Sequence, residues 1–309
     1  MCALAIRTDP PAAAPQPKFS LDECRGADSP FAALVAQSAA RHSVEPRALN
    51  VRTLLHLPRV AGHSGRLTRR QLDAELRNCA VGLRADQAEI LDLMPTDEYA
   101  LQDLRFISYD AENAARIFGH LHYLRSARGG SKNYALVDPL HGRPVTLCSV
   151  SPLEWAVVGK QLRNQFGVAP DRVWDVSRVY SFDVAPGNAI SFLLAKVRNA
   201  LRQSEPQIEL LTTAVDPNLG FTGSSYRAAN WQRWMSISPR PYLYLDGRYI
   251  SPRKLREDYG TANLTTVKTL SGAVVEQSRA RLLDSAIFCC RLKGETEFLP
   301  VDDQRRLRR

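Results

Sequence analysis

Asp216 closes the apolar run Ile208–Val215, and Tyr226 lies ten positions further on, where a short helical stretch begins. A carboxylate at a strand end can accept a proton from an attacking amine or orient it. A tyrosine hydroxyl can act as general acid or hydrogen-bond donor. The plainer readings are a turn-forming aspartate ahead of Pro217 and a core ring with a satisfied hydroxyl. Arg178 follows an apolar strand start and precedes a turn, so its guanidinium can grip a phosphate or carboxylate with two N–H groups. Equally, it can pair with Asp175 or Asp183 and lock the strand end. His122 is followed by Arg125, Arg128 and Lys132 around Gly129–Gly130, and an imidazole there can serve as a base near neutral pH or meet a base edge. His120, His122 and His141 raise the question of a metal. Two ligands two positions apart suit a strand better than a helix, so no structural metal site is expected, while metal dependence stays open.

A second group of residues points to anion binding. Ala185–Ser191 reads as a turn opening a helix, whose free N–H groups can receive an anion. Gly187 and Asn188 make the turn, and Ser191 offers a hydroxyl that serves either a ligand or a local cap.

These groups need elements to hold them. Val173–Phe182 reads as a strand. Ile190, Leu193, Leu194, Val197 and Leu201 form one face of the helix that follows, and Ile208–Val215 is a buried strand. Upstream, Arg105–Tyr109 is strand-like and Asp110–Tyr123 helical. Tyr134–Val137 and Val145–Val150 flank the turn Asp138–Gly142. Ser151-Pro152 with Glu154 has the form of a capped helix start, and Gly167 of a helix end. Tyr242–Leu245 and Arg248–Ile250 form a hairpin around Asp246-Gly247, and Ser285–Leu292 is the last strand. In the first hundred residues, Ser29-Pro30 and the Thr68/Gln71 pair mark two helix starts. Arg66, Arg69 and Arg70 beside the second could suit a DNA-binding module but fit a solvated face better.

The chain has 309 residues, 44% hydrophobic, with a formal net charge of +9. That supports a core and makes an acidic partner such as nucleic acid or a phosphorylated cofactor plausible. Between Lys196 and Arg256 basic side chains outnumber acidic ones. Trp231, Trp234, Tyr242, Tyr244 and Tyr249 are interleaved with them, a mixture that suits a nucleic-acid groove, although at least half of these rings are expected in the core. Six cysteines lie scattered without CxxC spacing, no secretory leader is read, and no apolar run approaches a membrane span. The expectation is a reduced cytoplasmic protein with no membrane partner. The divisions expected are a disordered start over 1–26, a helical segment over 27–100, a transferase domain over 101–295 and a basic tail over 296–309.

From about Ala111 to Tyr259 the chain resembles the Mom-type adenine-modification proteins of phages and mobile elements, distant members of the GCN5-related N-acyltransferase superfamily. The matching stretches are His122–Tyr123, Val176–Tyr180, Asn188–Ser191, Thr213–Asp216 and Gly223–Trp231. Their common order and spacing carry the resemblance. It implies an α+β fold: a GNAT-like mixed sheet, splayed at its centre and flanked by helices, here with a helical segment in front. It also implies transfer of a small carbamoylmethyl- or acyl-type group to the exocyclic amine of adenine in DNA. His122, Tyr123, Asp216 and Tyr226 would then be catalytic, and Arg178, Gly187, Asn188 and Ser191 would bind the group donor. The chain departs from ordinary acyl-CoA users in keeping only Gly187 of a richer glycine signature. The cofactor is therefore unknown, an acyl-CoA-like donor being one candidate. The expected partners are DNA and a small-molecule donor. Two other functions compete: an acyl-CoA-dependent N-acetyltransferase acting on a small amine, and a non-catalytic DNA-binding protein of the same fold. The first would need the missing glycines, and the second could dispense with His122, Asp216 and Tyr226.

Overall fold

The computed structural model describes residues 18–26, 29–293 and 306–307. The expected disorder over 1–26 falls outside the described residues as far as Pro17. Over residues 18–26 the chain is structured instead: β1 (Lys18–Ser20) leads into α1 (Leu21–Arg25), whose start Ser20 and Glu23 cap reciprocally. Helices α2 (Pro30–His42) and α3 (Pro46–Val60) follow, then β2 (Arg66–Thr68) and α4 (Arg69–Ala88). Strands β1 and β2 pair antiparallel. Ser29 caps α2 with Pro30 in its first turn, and Thr68 and Gln71 form the box that starts α4, as their spacing predicts. Arg69 is tied along the helix surface to Asp73, which fits the solvated-face reading.

The second part runs β3 (Arg105–Ser108), α5 (Ala111–His120), β4 (Lys132–Val137), β5 (Pro144–Pro152), α6 (Ala156–Phe166), β6 (Val173–Ser181), α7 (Ala189–Ser204), β7 (Leu210–Val215), α8 (Ser224–Ala228) and β8 (Gln232–Ile237). After these come β9 (Leu243–Leu245), β10 (Arg248–Ile250), α9 (Pro252–Tyr259), α10 (Leu264–Ser271), β11 (Val275–Gln277), β12 (Ser285–Arg291) and β13 (Arg306–Leu307). The main sheet has the order β13-β8-β12-β7-β6-β5-β4-β3, and β9 is the centre of a small sheet between β10 and β11. Pairs β6–β7 and β13–β8 are parallel and the rest antiparallel, so the sheet is mixed. The expected basic tail lies outside the described residues apart from Arg306–Leu307.

The sheet divides two cores. On β4, Tyr134 and Leu136 join the cluster formed with α7, while Ala135 and Val137 join the cluster formed with the head helices and α5. That is the two-residue period of a strand with apolar matter on both faces. A third cluster sets α6 against β8 and β12. The helix start expected at Ser151 is corrected. β5 runs on to Pro152, with Ser151 opposite Asp175, and α6 begins at Ala156 after Trp155. A residue before proline avoids helical backbone, and here the sheet supplies its partners. Asp246-Gly247 makes the predicted hairpin, both residues adopting positive φ (48° and 73°).

Candidate active site

Strands β6 and β7 run parallel but pair only over Val173–Asp175 and Leu210–Thr212. Beyond that they part, which is the splay at the sheet centre. Thr213 Oγ1 donates to the Val176 carbonyl (2.9 Å) at the first step past the paired stretch, and Tyr226 Oη lies 3.3 Å from Thr213 Oγ1. The Tyr226 ring stacks on Phe288 (5.7 Å, 27°) and meets Trp231 edge-on (5.4 Å). Gly223, in left-handed backbone (φ 74°), makes this possible, since a Cβ there would lie 2.5 Å from the Phe288 ring. Burial raises the Tyr226 hydroxyl above the ordinary tyrosine range. It is therefore a proton donor at neutral pH, not a base.

Asp216 is held by hydrogen bonds at both carboxylate oxygens. Its Oδ1 accepts from Asn218 N (3.0 Å) and Nδ2 (2.7 Å), the turn-forming role. Its Oδ2 accepts from Tyr242 Oη at 2.6 Å, which fixes the carboxylate facing the tyrosines. Tyr123 is a neighbour of Asp216 and Arg178, and burial followed by the Asp216 charge pushes its hydroxyl up to about 12.

Arg178 is buried and pairs with neither Asp175 nor Asp183. Nε donates to Ser126 O (2.8 Å), Nη2 to Ser126 Oγ (3.2 Å) and Nη1 to Ser177 O (2.6 Å). Asp183 is engaged by Arg47, and Asp175 lies nearer Arg128. Arg178 thus anchors the loop after α5, and its charge has no carboxylate within 4 Å among the described residues. That loop carries His122 and Tyr123, because α5 ends at His120 rather than Tyr123. His122 is buried with its ring 4.4 Å from that of Tyr123, and its Nδ1 accepts from Leu124 N (3.2 Å). Burial, then the Arg178 charge, holds the imidazole well below its usual value. With Nδ1 accepting, the proton of the neutral ring sits on Nε2.

Asn188 and Ser191 shape the start of α7. Asn188, not Gly187, takes left-handed backbone (φ 67°) at the start of α7 and makes no side-chain cap bond. A Cβ on Gly187 would meet nothing within 4 Å, so packing does not demand glycine there. Ser191 Oγ donates to Asn188 O (2.9 Å), the local role.

Sequence reasoning cast Asp175 only as a partner for Arg178. It is the last paired residue of β6 before the splay, and burial, offset by Arg128, raises its carboxyl to about 6. That is the range in which a carboxyl exchanges protons at neutral pH. The sequence signal was a lone acid inside an apolar strand.

A cavity of about 950 Å³ lies between the head and this site. Helices α3 and α4 form one wall. The other is formed by His122–Arg125 and the β9–β10 turn with the start of α9. His56, Glu75 and Cys79 line it, with ligand atoms within 4.8 Å of one another. They are the metal-capable group among the described residues, whereas His120 turns to Asp86. Arg59 already holds Glu75 at 2.8 Å, which works against a cation.

A sequence model of the Mom protein family matches residues 103–284, well over half of the chain. Among solved structures, an N-acetyltransferase from Staphylococcus aureus Mu50 aligns at 9% identity with a TM-score of 0.36. The alignment covers 62% of this chain and 99% of that one. A protein provisionally named a phosphinothricin N-acetyltransferase aligns at 12% identity with a TM-score of 0.31, over 62% and 99% of the two chains. No curated protein matches the chain.

Proposed function

The chain belongs to the Mom protein family, and on that premise we propose that it is a transferase acting on adenine in DNA. It adds a small carbamoylmethyl- or acyl-type group to the exocyclic amine. The observation that carries this reading is the gathering of Tyr123, Asp216 and Tyr226 with Arg178 at the splay between β6 and β7. In this reading the adenine N6 lone pair attacks the electrophilic carbon of the donor. The new N–C bond forms as the bond to the leaving group breaks. Asp216, oriented by Tyr242, takes the N6 proton, and Tyr226 donates its hydroxyl proton to the leaving group. The buried Arg178 charge and the Nε2–H of His122 favour negative charge developing on the donor. The start of α7, with Asn188 leaving its N–H groups uncapped, is the place for an anionic part of the donor.

The test is expression in a bacterial host, digestion of its DNA to nucleosides and mass analysis of deoxyadenosine. A mass-shifted nucleoside is expected from the wild type. Asp216→Ala and Tyr226→Phe should reduce it by about 10²-fold or more. Unmodified deoxyadenosine from well-expressed, folded protein would overturn the reading.

A further inference from the structure

The family match begins at residue 103, yet helices α3 and α4 of the head make half the wall of the large cavity beside the active site. Tyr123 and Tyr249 line that cavity, and both are close enough to Asp216 and Arg178 to feel their charges. Arg178, Asp216 and Tyr226 do not line it. The cavity therefore borders the splay through Tyr123 and Tyr249.

The cavity is graded from rim to floor. Arg77, Asn78, Val81 and Arg248 are exposed at its edge, while Glu75, Cys79 and His122 are buried at its base. Its cations fall into two sets. Arg52 and Arg125 are held by Asp86, Arg59 by Glu75, and Lys254 by Asp258. Arg77 and Arg248 have no carboxylate partner among the described residues, and both stand at the rim. A volume of about 950 Å³ takes a nucleotide comfortably but cannot admit a duplex, whose major groove alone is about 12 Å wide. Only a base removed from the stack reaches such a floor, and its phosphates remain at the rim. Towards the floor, the half-buried His56 is held neutral and is bonded to the Gly247 backbone, so it adds no cation beside the base.

We propose that this cavity receives the acceptor, an adenine nucleotide turned out of DNA, with Arg77 and Arg248 on the flanking phosphates and N6 directed past Tyr123 and Tyr249 towards Asp216. The head is then part of the substrate site. This rests on the transferase reading above, and the experiment separates the two.

Ala85 is an exposed residue of α4 that lines the cavity, so Ala85→Trp obstructs it without disturbing a core. Ala85→Trp should cut modified deoxyadenosine at least tenfold with unchanged thermal unfolding, while Ala85→Ser keeps the wild-type yield. Arg77→Ala and Arg248→Ala should each weaken duplex binding and reduce its salt slope by about one. Independently of turnover, DNA duplexes carrying 8-azidoadenine should photocross-link to peptides within 52–86 or 246–254. Full yield from Ala85→Trp, or cross-links confined to other peptides, overturns the cavity assignment. If the wild type leaves DNA unmodified, the transferase reading fails, and the cross-link positions alone decide what the cavity holds.

Discussion

Tyr242 donates to Asp216 Oδ2 over 2.6 Å, and this bond fixes which way the carboxylate faces. Tyr242→Phe removes the hydroxyl and keeps the ring that meets Tyr249 edge-on. The cost of one such bond to a charged group is about 1.5–3 kcal/mol, so the yield of modified deoxyadenosine should fall about ten- to a hundredfold with the fold intact. Near-normal thermal unfolding alongside reduced yield would separate this effect from a packing defect. Gly223 makes the opposite prediction. Its φ of 74° and the Phe288 ring 2.5 Å from a built Cβ leave no room for a side chain. Gly223→Ala should cost about 1–3 kcal/mol, lower the melting temperature by several degrees and displace Tyr226 through Phe288. An alanine variant as stable as the wild type would show that the ring yields easily. Asp216 and Tyr226 were visible in the sequence because each ends or begins an element. Asp175 and Ser126 were not, since their importance comes from strand pairing and from a contact with Arg178 52 residues away in sequence.

Elements with a signal in their own residues were legible, the apolar strands β6, β7 and β12 included, whereas boundaries and strands set by pairing alone were not. The Thr68/Gln71 box, the Ser29-Pro30 start and the Asp246-Gly247 hairpin all close within four residues, so sequence spacing reveals them. Ser151-Pro152 with Glu154 carries an equally good local signal, but β6 claims Ser151 and Pro152 as strand partners. Strand β8 has no alternation clear enough to read, and its position follows from pairing with β12, some fifty residues later. The join between head and sheet is likewise invisible locally. Glu45, just before α3, accepts from Tyr180 Oη of β6 (2.7 Å) and from Asp183 N (2.9 Å). Burial pushes its carboxyl up to about 7 despite those bonds. The folded chain thus keeps a proton that the unfolded chain loses near pH 4.5. Stability from this group is fully present below about pH 4.5, falls as pH rises towards 7, and is flat above. The fall should be on the order of 2 kcal/mol, and Glu45→Gln should flatten it. Melting temperatures at half-unit steps from pH 4.5 to 8 check this, and an unchanged slope in the variant would assign the dependence to other groups.

At the scale of the whole molecule, the head covers one face of the main sheet. Leu49, Leu54, Leu57 and Leu83 of α3 and α4 share one buried cluster with Phe118 of α5, Val137 of β4, Leu147 of β5 and Phe182. Tyr244 of the small sheet, fully buried, donates to the Leu55 carbonyl of α3 at 2.9 Å, so the second part of the chain closes back over the head. Each large apolar side chain uncovered costs roughly 1.5–3 kcal/mol, and a domain has about 5–15 kcal/mol of net stability. Exposing Val137, Leu147, Phe118 and Phe182 together would exhaust that margin. A fragment of residues 101–309 should therefore be insoluble, or compact with strong binding of a hydrophobic dye and no cooperative melting, although it contains the whole family match. Removing only residues 1–17 takes away none of that cluster's side chains and should keep the melting temperature close to that of the full chain. The contrast matters because both deletions remove sequence outside the family match, and only one removes the wall of the sheet. A soluble, monomeric 101–309 fragment with a single sharp transition would show that the sheet closes without the head. Such a fragment could still be asked whether it modifies DNA. Activity in it would return the head to the role of an added cover, whereas folding without activity would leave the cavity wall as the part that the chemistry lost.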